Sequence, residues 1–404
     1  DMKFKGVCVD VERAHKLKKQ LQQQEEEFLL QVKKETGIDV QIWAARSIAK
    51  VFDKLSLSYA RTEKTHSPSF TKNFLSTHQH PMVKNIAKAR EINKAHTTFI
   101  DTILKHQYRG RIHADINPVR SDQGGTVTGR FSYSNPNLQQ IPARNKDLGP
   151  MIRSLFIPEK NHKWGCFDYS QQEPRLVVHY AATTEPIRFD NSVASIVEKF
   201  KDNTVDFHQT VADMANISRT QAKTINLGLF YGMGKAKLQA ELGLNTKEEA
   251  EDLFNTYHTN VPFVRDLMNY TSKTAQTSGS IGTLLGRRCR FNKWEPNQFG
   301  MHKPMDYEEA DRTYGRGRIR RAFTYKALNK LIQGSAADMT KKAMVDLYKE
   351  GVVPHIQIHD ELDISVESDD AAKKIIDIME NAVSLEVPNK VDYESGKTWG
   401  DIYG

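Results

Sequence analysis

Residues 219–232, R-T-Q-A-K-T-I-N-L-G-L-F-Y-G, constrain the fold most, because their charged and apolar positions both recur at helical spacing. At roughly 100° per residue, Arg219, Lys223, Asn226 and Phe230 share one stripe, with Leu227 beside it and Tyr231 at its edge. Ala222, Ile225 and Leu229 fill the neighbouring flank, so one side is expected to anchor the helix while the next presents two cations to open space. An Arg and a Lys four apart, with no acid on their stripe, suit a polyphosphate, whose oxygens accept both a guanidinium fork and a point charge. The aromatic residues further on would then face a base and a sugar. Spacing alone leaves open the plainer alternative, a solvated basic face on a core helix.

A chain of 404 residues has room for two or three lobes, each with its own core. Lys and Arg outnumber Asp and Glu by 58 to 50, which favours a polyanionic partner. The cysteines Cys8, Cys166 and Cys289 are far apart and form no C-x-x-C pair, so neither a disulfide framework nor a zinc cluster is expected. No run approaches the roughly 18 apolar residues of a membrane span, and no secretory signal pattern opens the chain. A soluble, cytoplasmic protein is expected. The direct start in a structured pattern reads as a fragment of a longer polypeptide.

After a short strand G-V-C-V, Asp10 is expected to cap a long helix, with Leu17, Leu21, Phe28 and Val32 inward and Gly37 past its end. Asp10 and Glu12 also spell the D-x-E of metal-dependent exonucleases, but capping is the better reading because those enzymes need further carboxylates on strands. A second helix is expected over residues 81–104, with Ile86, Ile92, Ala95, Phe99 and Ile103 at helical spacing. Residues 124–144, G-G-T-V-T-G-R-F-S-Y-S-N-P-N-L-Q-Q-I-P-A-R, read as a loop too polar for a core. Its forked donors Arg130, Asn137, Gln139 and Arg144 suit the acceptors that every base pair shows in the minor groove, where donors check shape and not sequence.

Two stretches place carboxylates at strand ends. In K-W-G-C-F-D-Y-S-Q-Q-E-P-R, a buried strand is expected to end at Asp168, with a turn and then a helix starting at Pro174. In H-I-Q-I-H-D-E-L-D-I-S-V-E, alternation on both sides of His359-Asp360-Glu361 predicts a hairpin with acids at its tip. Between them lie the arginine clusters Arg287, Arg288, Arg290 and Arg316, Arg318, Arg320, Arg321, read as phosphate contacts. Asn329 and Gln333, four apart, share a helix face and offer further amide forks.

Taken together and in order, D-Y-S-Q-Q-E, R-x-x-x-K-x-x-x-x-x-x-x-Y-G and H-D-E resemble motifs A, B and C of the family A DNA polymerases, the group of bacterial DNA polymerase I. T-G-R-F-S-Y-S-N-P-N-L-Q-Q-I-P-A-R and N-x-x-x-Q-G-S-A-A-D also look like family segments, and the likeness covers nearly the whole chain. It implies an α+β fold shaped like a right hand, with an antiparallel palm sheet, helical fingers and a helical thumb. Approximate boundaries would be 1–110 for mainly thumb helices, 111–190 for palm with the duplex-contacting loop, 191–325 for fingers and 326–404 for palm.

The resemblance further implies that Asp168, Asp360 and the Tyr169 carbonyl hold two Mg²⁺ ions, with Mn²⁺ as a substitute and Glu361 as a catalytic neighbour. Arg219 and Lys223 would bind the incoming deoxynucleoside triphosphate, with His208 and Gln171 nearby. Tyr231 would close over the templating pair, and Glu173 would block the space that a 2′-hydroxyl needs. Arg130, Asn137, Gln139, Arg144, Asn329, Gln333 and His359 would track primer-template DNA, and the protein would act as a monomer. Leu227 departs from the Phe or Tyr of many members at a position that meets the incoming sugar and base. Gln172 and Pro174 replace the usual aliphatics of motif A and lean toward phage members, which would place the enzyme in a host cytoplasm. Rival expectations are a single-subunit RNA polymerase, against which Glu173 speaks, and a DNA-holding relative without chemistry.

Overall fold

The computed structural model describes residues 1–119, 125–142, 145–201, 206–230, 235–298 and 300–402. Its central sheet has the strand order Ile356–Ile358, Glu361–Val366, Lys163–Tyr169, Val391–Gly396, with every neighbouring pair antiparallel. A strand from the first half of the chain is thus clamped between two from its C-terminal end, which brings distant residues into register.

Along Lys163–Tyr169 the period-two alternation of a strand sorts side chains between two cores. Phe167 and Tyr169 face a core shared with Leu176, Ile332, Leu362 and Ile364. Trp164 and Cys166 face a second core with Phe156, Ile356 and Trp399. Both faces are covered, which is why Trp164–Phe167 reads as an unbroken buried run.

The second core extends to the N-terminal strand Val7–Val9 and the first turns of the helix Val11–Thr36. Asp10 caps that helix by accepting from the Arg13 N–H at 2.9 Å, and Gly37 ends it at a φ of 73°. The D-x-E is therefore a helix start. A third core, built on Val32, Phe52, Phe70, Val83 and Ile86, sits at the far end of this helix and the one packed beside it. That partner differs from expectation. It runs as an α-helix over Pro81–Lys94, widens to a π-helix over Ala95–Ile100 and resumes over Asp101–His106. Within the widened turn His96 is buried and meets Glu25 at 2.6 Å, so a polar pair sits where periodicity alone suggests only apolar packing.

The loop expected to be too polar for a core contributes to one. Tyr133, Leu138 and Ile141 are buried against the second core, and Ser132–Ser134 pairs with Asp115–Asn117. Cys8, Cys166 and Cys289 are free thiols. No helix among the described residues is long and apolar enough to cross a membrane.

Candidate active site

Strand pairing assembles the acids. Asp168, near the end of its strand, lies opposite Glu361 on one side and Asp392 on the other. Ile358 pairs with Glu361, leaving His359 and Asp360 as the hairpin turn. His359 takes a φ of 57°, the sign that a tight two-residue hairpin turn requires. The turn is held in place by two contacts: the Tyr169 N–H donates to the Asp360 carbonyl at 3.3 Å, and the Gln357 amide donates to the His359 carbonyl at 2.6 Å. Asp168 and Asp360 therefore lie at the same end of the sheet, an acid edge formed by strand ends.

Their electrostatics follow from this crowding. Burial, then the charges of Asp360, Glu361, Asp392 and Glu394, push the Asp168 carboxyl up to about 8. Asp360 is pushed up to about 6, mainly by burial, with the nearby Arg130 guanidinium opposing the rise. Carboxylates that burial and like charge keep from ionising are a donor set that a divalent cation neutralises, and an all-oxygen set fits Mg²⁺ or Mn²⁺ better than a thiolate-seeking ion. Beneath this edge Cys166, Glu361 and Asp363 lie within 4.8 Å of one another. Asp363 is fully buried and accepts from the Trp164 indole at 2.8 Å. Burial, and after it the Glu361 charge, raises the Asp363 carboxyl well above the ordinary range.

A chain of contacts joins the acid edge to the charged helix. Gln171, in a left-handed turn three residues after Asp168, accepts from the Phe207 N–H at 2.7 Å. The helix after motif A starts at Gln172, two residues before Pro174, so that proline lies inside the first turn. Phe207 opens the helix Phe207–Ala215, capped by Asp206, which accepts from the His208 and Gln209 N–H groups. The same Asp206 carboxylate holds the Arg219 guanidinium, at 2.8 Å from Nε and 2.6 Å from Nη2.

The helix Arg219–Phe230 keeps part of the expected pattern. Ala222 and Ile225 are buried, while Arg219 and Lys223 are exposed. Asn226, placed on the exposed stripe by periodicity, is fully buried: it accepts from the Tyr257 hydroxyl and meets His208 Nδ1 at 3.1 Å. The core reaches further round the helix than spacing indicates because Tyr257 arrives from another helix. Burial, with the Lys223 and Arg219 charges adding to it, holds the His208 imidazole below its ordinary value. The Leu227 side chain, Tyr231 and Arg144 lie outside the described residues.

Several expected DNA contacts also serve the fold. Arg130 forms a 2.7 Å ion pair with Glu173, joining a residue expected to touch duplex to one expected to touch nucleotide. Asn137 accepts from the Gln139 N–H at 3.1 Å, and the Gln139 amide donates to the Gln357 carbonyl at 3.3 Å, tying the polar loop to the hairpin. His359 stands at the turn, and partial burial of its imidazole, then the Arg130 charge, lowers its pKa. Asn329 and Gln333 are half-buried on the helix Ala327–Lys349. The arginine clusters divide. Arg287 is held by Asp338 at 3.1 Å and by the Gly334 carbonyl at 2.8 Å; Arg320 pairs with Glu295 at 3.0 Å. Arg321 packs 4.6 Å from the Trp294 ring centre and donates to the Phe291 carbonyl. These three brace the fold, whereas Arg288, Arg290, Arg316 and Arg318 are exposed.

Sequence reasoning passed over Asp206 and Asp392. Asp206 carried a readable signal, an Asp directly before a helix, but its partner Arg219 could be found only in three dimensions. Asp392 sits in an ordinary alternating strand, and only its register opposite Asp168 makes it notable.

The site thus sets a cluster of strand-end acids beside a helix that presents exposed cations. A model of DNA polymerase family A matches residues 11–401, and the chain belongs to that family. The DNA-directed DNA polymerase of Pseudomonas phage M6 is 33% identical, over all of this chain and 64% of the relative. The thermostable DNA polymerase I of Thermus filiformis is 33% identical over 98% of this chain and 46% of its own length. The solved structure of the POL domain of Pol1 from M. smegmatis, in complex with DNA primer-template and dNTP, superimposes with a TM-score of 0.76 at 25% identity. It covers 99% of this chain and 68% of that one, and the α+β right-hand fold is shared.

Proposed function

We propose that this chain extends a primer 3′ end on a DNA template, using deoxynucleoside triphosphates. The observation that supports the reading is the run of contacts from Gln171, three residues after Asp168, through Phe207 to the Asp206–Arg219 pair, which links the acids to the charged helix. Asp168, Asp360 and the Tyr169 carbonyl would hold two divalent ions, Mg²⁺ or Mn²⁺. Bound there, the ions supply a lowered pKa at the primer 3′-hydroxyl and neutralise the triphosphate and the leaving pyrophosphate.

The chain's own residues bind and orient. Arg219 exchanges the Asp206 carboxylate for phosphate oxygens, and Lys223 adds a point charge on the same helix. His208, held low in pKa and fixed by Asn226, presents a neutral imidazole to the same region. Glu173, braced by Arg130, fills the space beside the sugar, while Asn329, Gln333 and Arg130 follow the duplex through minor-groove acceptors. Base pairing supplies the sequence information.

The direct test is primer extension on a defined template with Mg²⁺, comparing deoxy- and ribonucleotides. Template-dependent addition of deoxynucleotides is expected, and its absence would refute the reading. The braced Glu173 distinguishes it from a ribonucleotide polymerase: Glu173→Ala is expected to admit ribonucleotides at least about tenfold better, a difference of about 1.4 kcal/mol. Unchanged discrimination removes Glu173 from that role.

A further inference from the structure

The segment leading into the helix Ala327–Lys349 combines features that the polymerase site does not use. Phe323 adopts a φ of 65°, a region that bulky side chains avoid, and the residue remains 39% exposed. A strained aromatic residue that is not buried gains little packing in return. Two residues on, Tyr325 is 55% exposed, and the Lys326 ammonium lies 4.8 Å from the Phe323 ring centre and 5.5 Å from that of Tyr325. Just upstream, Arg316 and Arg318 are exposed and have no acidic partner among the described residues, while the neighbouring Arg320 and Arg321 are pinned by Glu295, Phe291 and Trp294. The strand Ile319–Arg321, paired with Trp294–Pro296, joins the 3-10 helix Arg316–Arg318 that carries the arginines to the 3-10 helix Thr324–Lys326 that Phe323 opens, so cations and rings flank one short strand.

We propose that Phe323, Tyr325 and Lys326, with Arg316 and Arg318, form a stacking platform for unpaired nucleotides of the template strand. The proposal rests on the reading of the chain as a DNA polymerase. Exposed rings flanked by unpaired cations match what unpaired nucleotides offer, bases with free π-faces joined by phosphates. In a duplex those faces are stacked on neighbouring bases and out of reach. The platform also directly precedes Asn329 and Gln333, so a strand held there would lead toward the residues assigned to the duplex.

The test measures binding of the full chain to a labelled oligothymidylate and to a blunt duplex. Tyr325→Ala and Phe323→Ala are expected to weaken oligothymidylate binding on the order of tenfold and to leave duplex binding unchanged. Tyr325→Phe should retain it, and Arg316→Gln with Arg318→Gln should flatten its salt dependence. Phe323→Gly should lose the binding while gaining thermal stability, because the backbone strain is relieved. Unchanged oligothymidylate affinity in Tyr325→Ala, an equal loss on blunt duplex, or a loss of stability in Phe323→Gly would overturn the platform. Extension by the wild-type chain on a template with a single-nucleotide overhang is the control. Its failure counts against the polymerase reading, and its success alongside unaltered oligothymidylate binding counts against the platform alone.

Discussion

In the sheet, Asp168 is fixed by strand partners on both sides, Glu361 and Asp392, and Asp360 by a turn tied to the next strand through the Tyr169 N–H. On the charged helix, Arg219 is held by a carboxylate whose side chain, like its own, reaches solvent, and Lys223 stands exposed. An exposed ion pair contributes about 0–1 kcal/mol, so Arg219 can leave Asp206 for a phosphate at little cost. Moving Asp168 would require breaking a ladder in the core. On the proposed reading, the groups that would keep a fixed geometry are built into long-range pairing, and those that would grasp and release a substrate lie on a surface stripe.

The comparison predicts unequal consequences of substitution. Asp360→Ala should slow nucleotide addition at least about a thousandfold, at about 1.4 kcal/mol per factor of ten, and leave primer-template binding largely intact. Near-normal single-turnover extension would remove Asp360 from the site. Lys223→Ala should raise the KM for deoxynucleoside triphosphate by roughly ten- to a hundredfold, as expected for one charge-assisted phosphate contact, with DNA affinity unchanged. A fall in kcat at constant KM would instead place Lys223 in the chemical step.

The smallest effect concerns stability. The folded values of Asp168, about 8, and Asp360, about 6, stand above the carboxylate value of the unfolded chain. The folded state therefore binds more protons, and its stability falls as the pH rises from near the ordinary carboxylate value of 3.8 to about 8, the Asp360 share being lost by about 6. Millimolar Mg²⁺ should reverse that loss, because an ion binds the deprotonated pair. Thermal unfolding across this pH range with and without Mg²⁺ checks it, and equal pH slopes in both conditions would show that the acids do not share an ion.

The contrast also explains which features were legible in the sequence. The hairpin at His359-Asp360-Glu361 and the strand ending near Asp168 were readable because period-two alternation and turn chemistry are local. The buried flank at Ala222 and Ile225 was readable for the same reason. Asn226 was misplaced because its burial depends on Tyr257 and His208, which come from other helices. The arginine clusters read as uniform phosphate contacts, yet Asp338, Glu295 and Trp294 divert three of them into bracing the fold. The π-helical turn around His96 left no periodic trace, since one added residue per turn is smaller than the scatter of apolar spacing. Tertiary partners decide these cases, and composition and spacing do not encode them.

A double-mutant cycle on the rate of single nucleotide incorporation tests the central claim most directly, using Asp168→Asn, Asp360→Asn and the two combined. If both carboxylates serve one ion site, the double variant should be no slower than the worse single variant by more than a few-fold. Losses that multiply, each substitution costing its full factor in the presence of the other, would contradict the assignment.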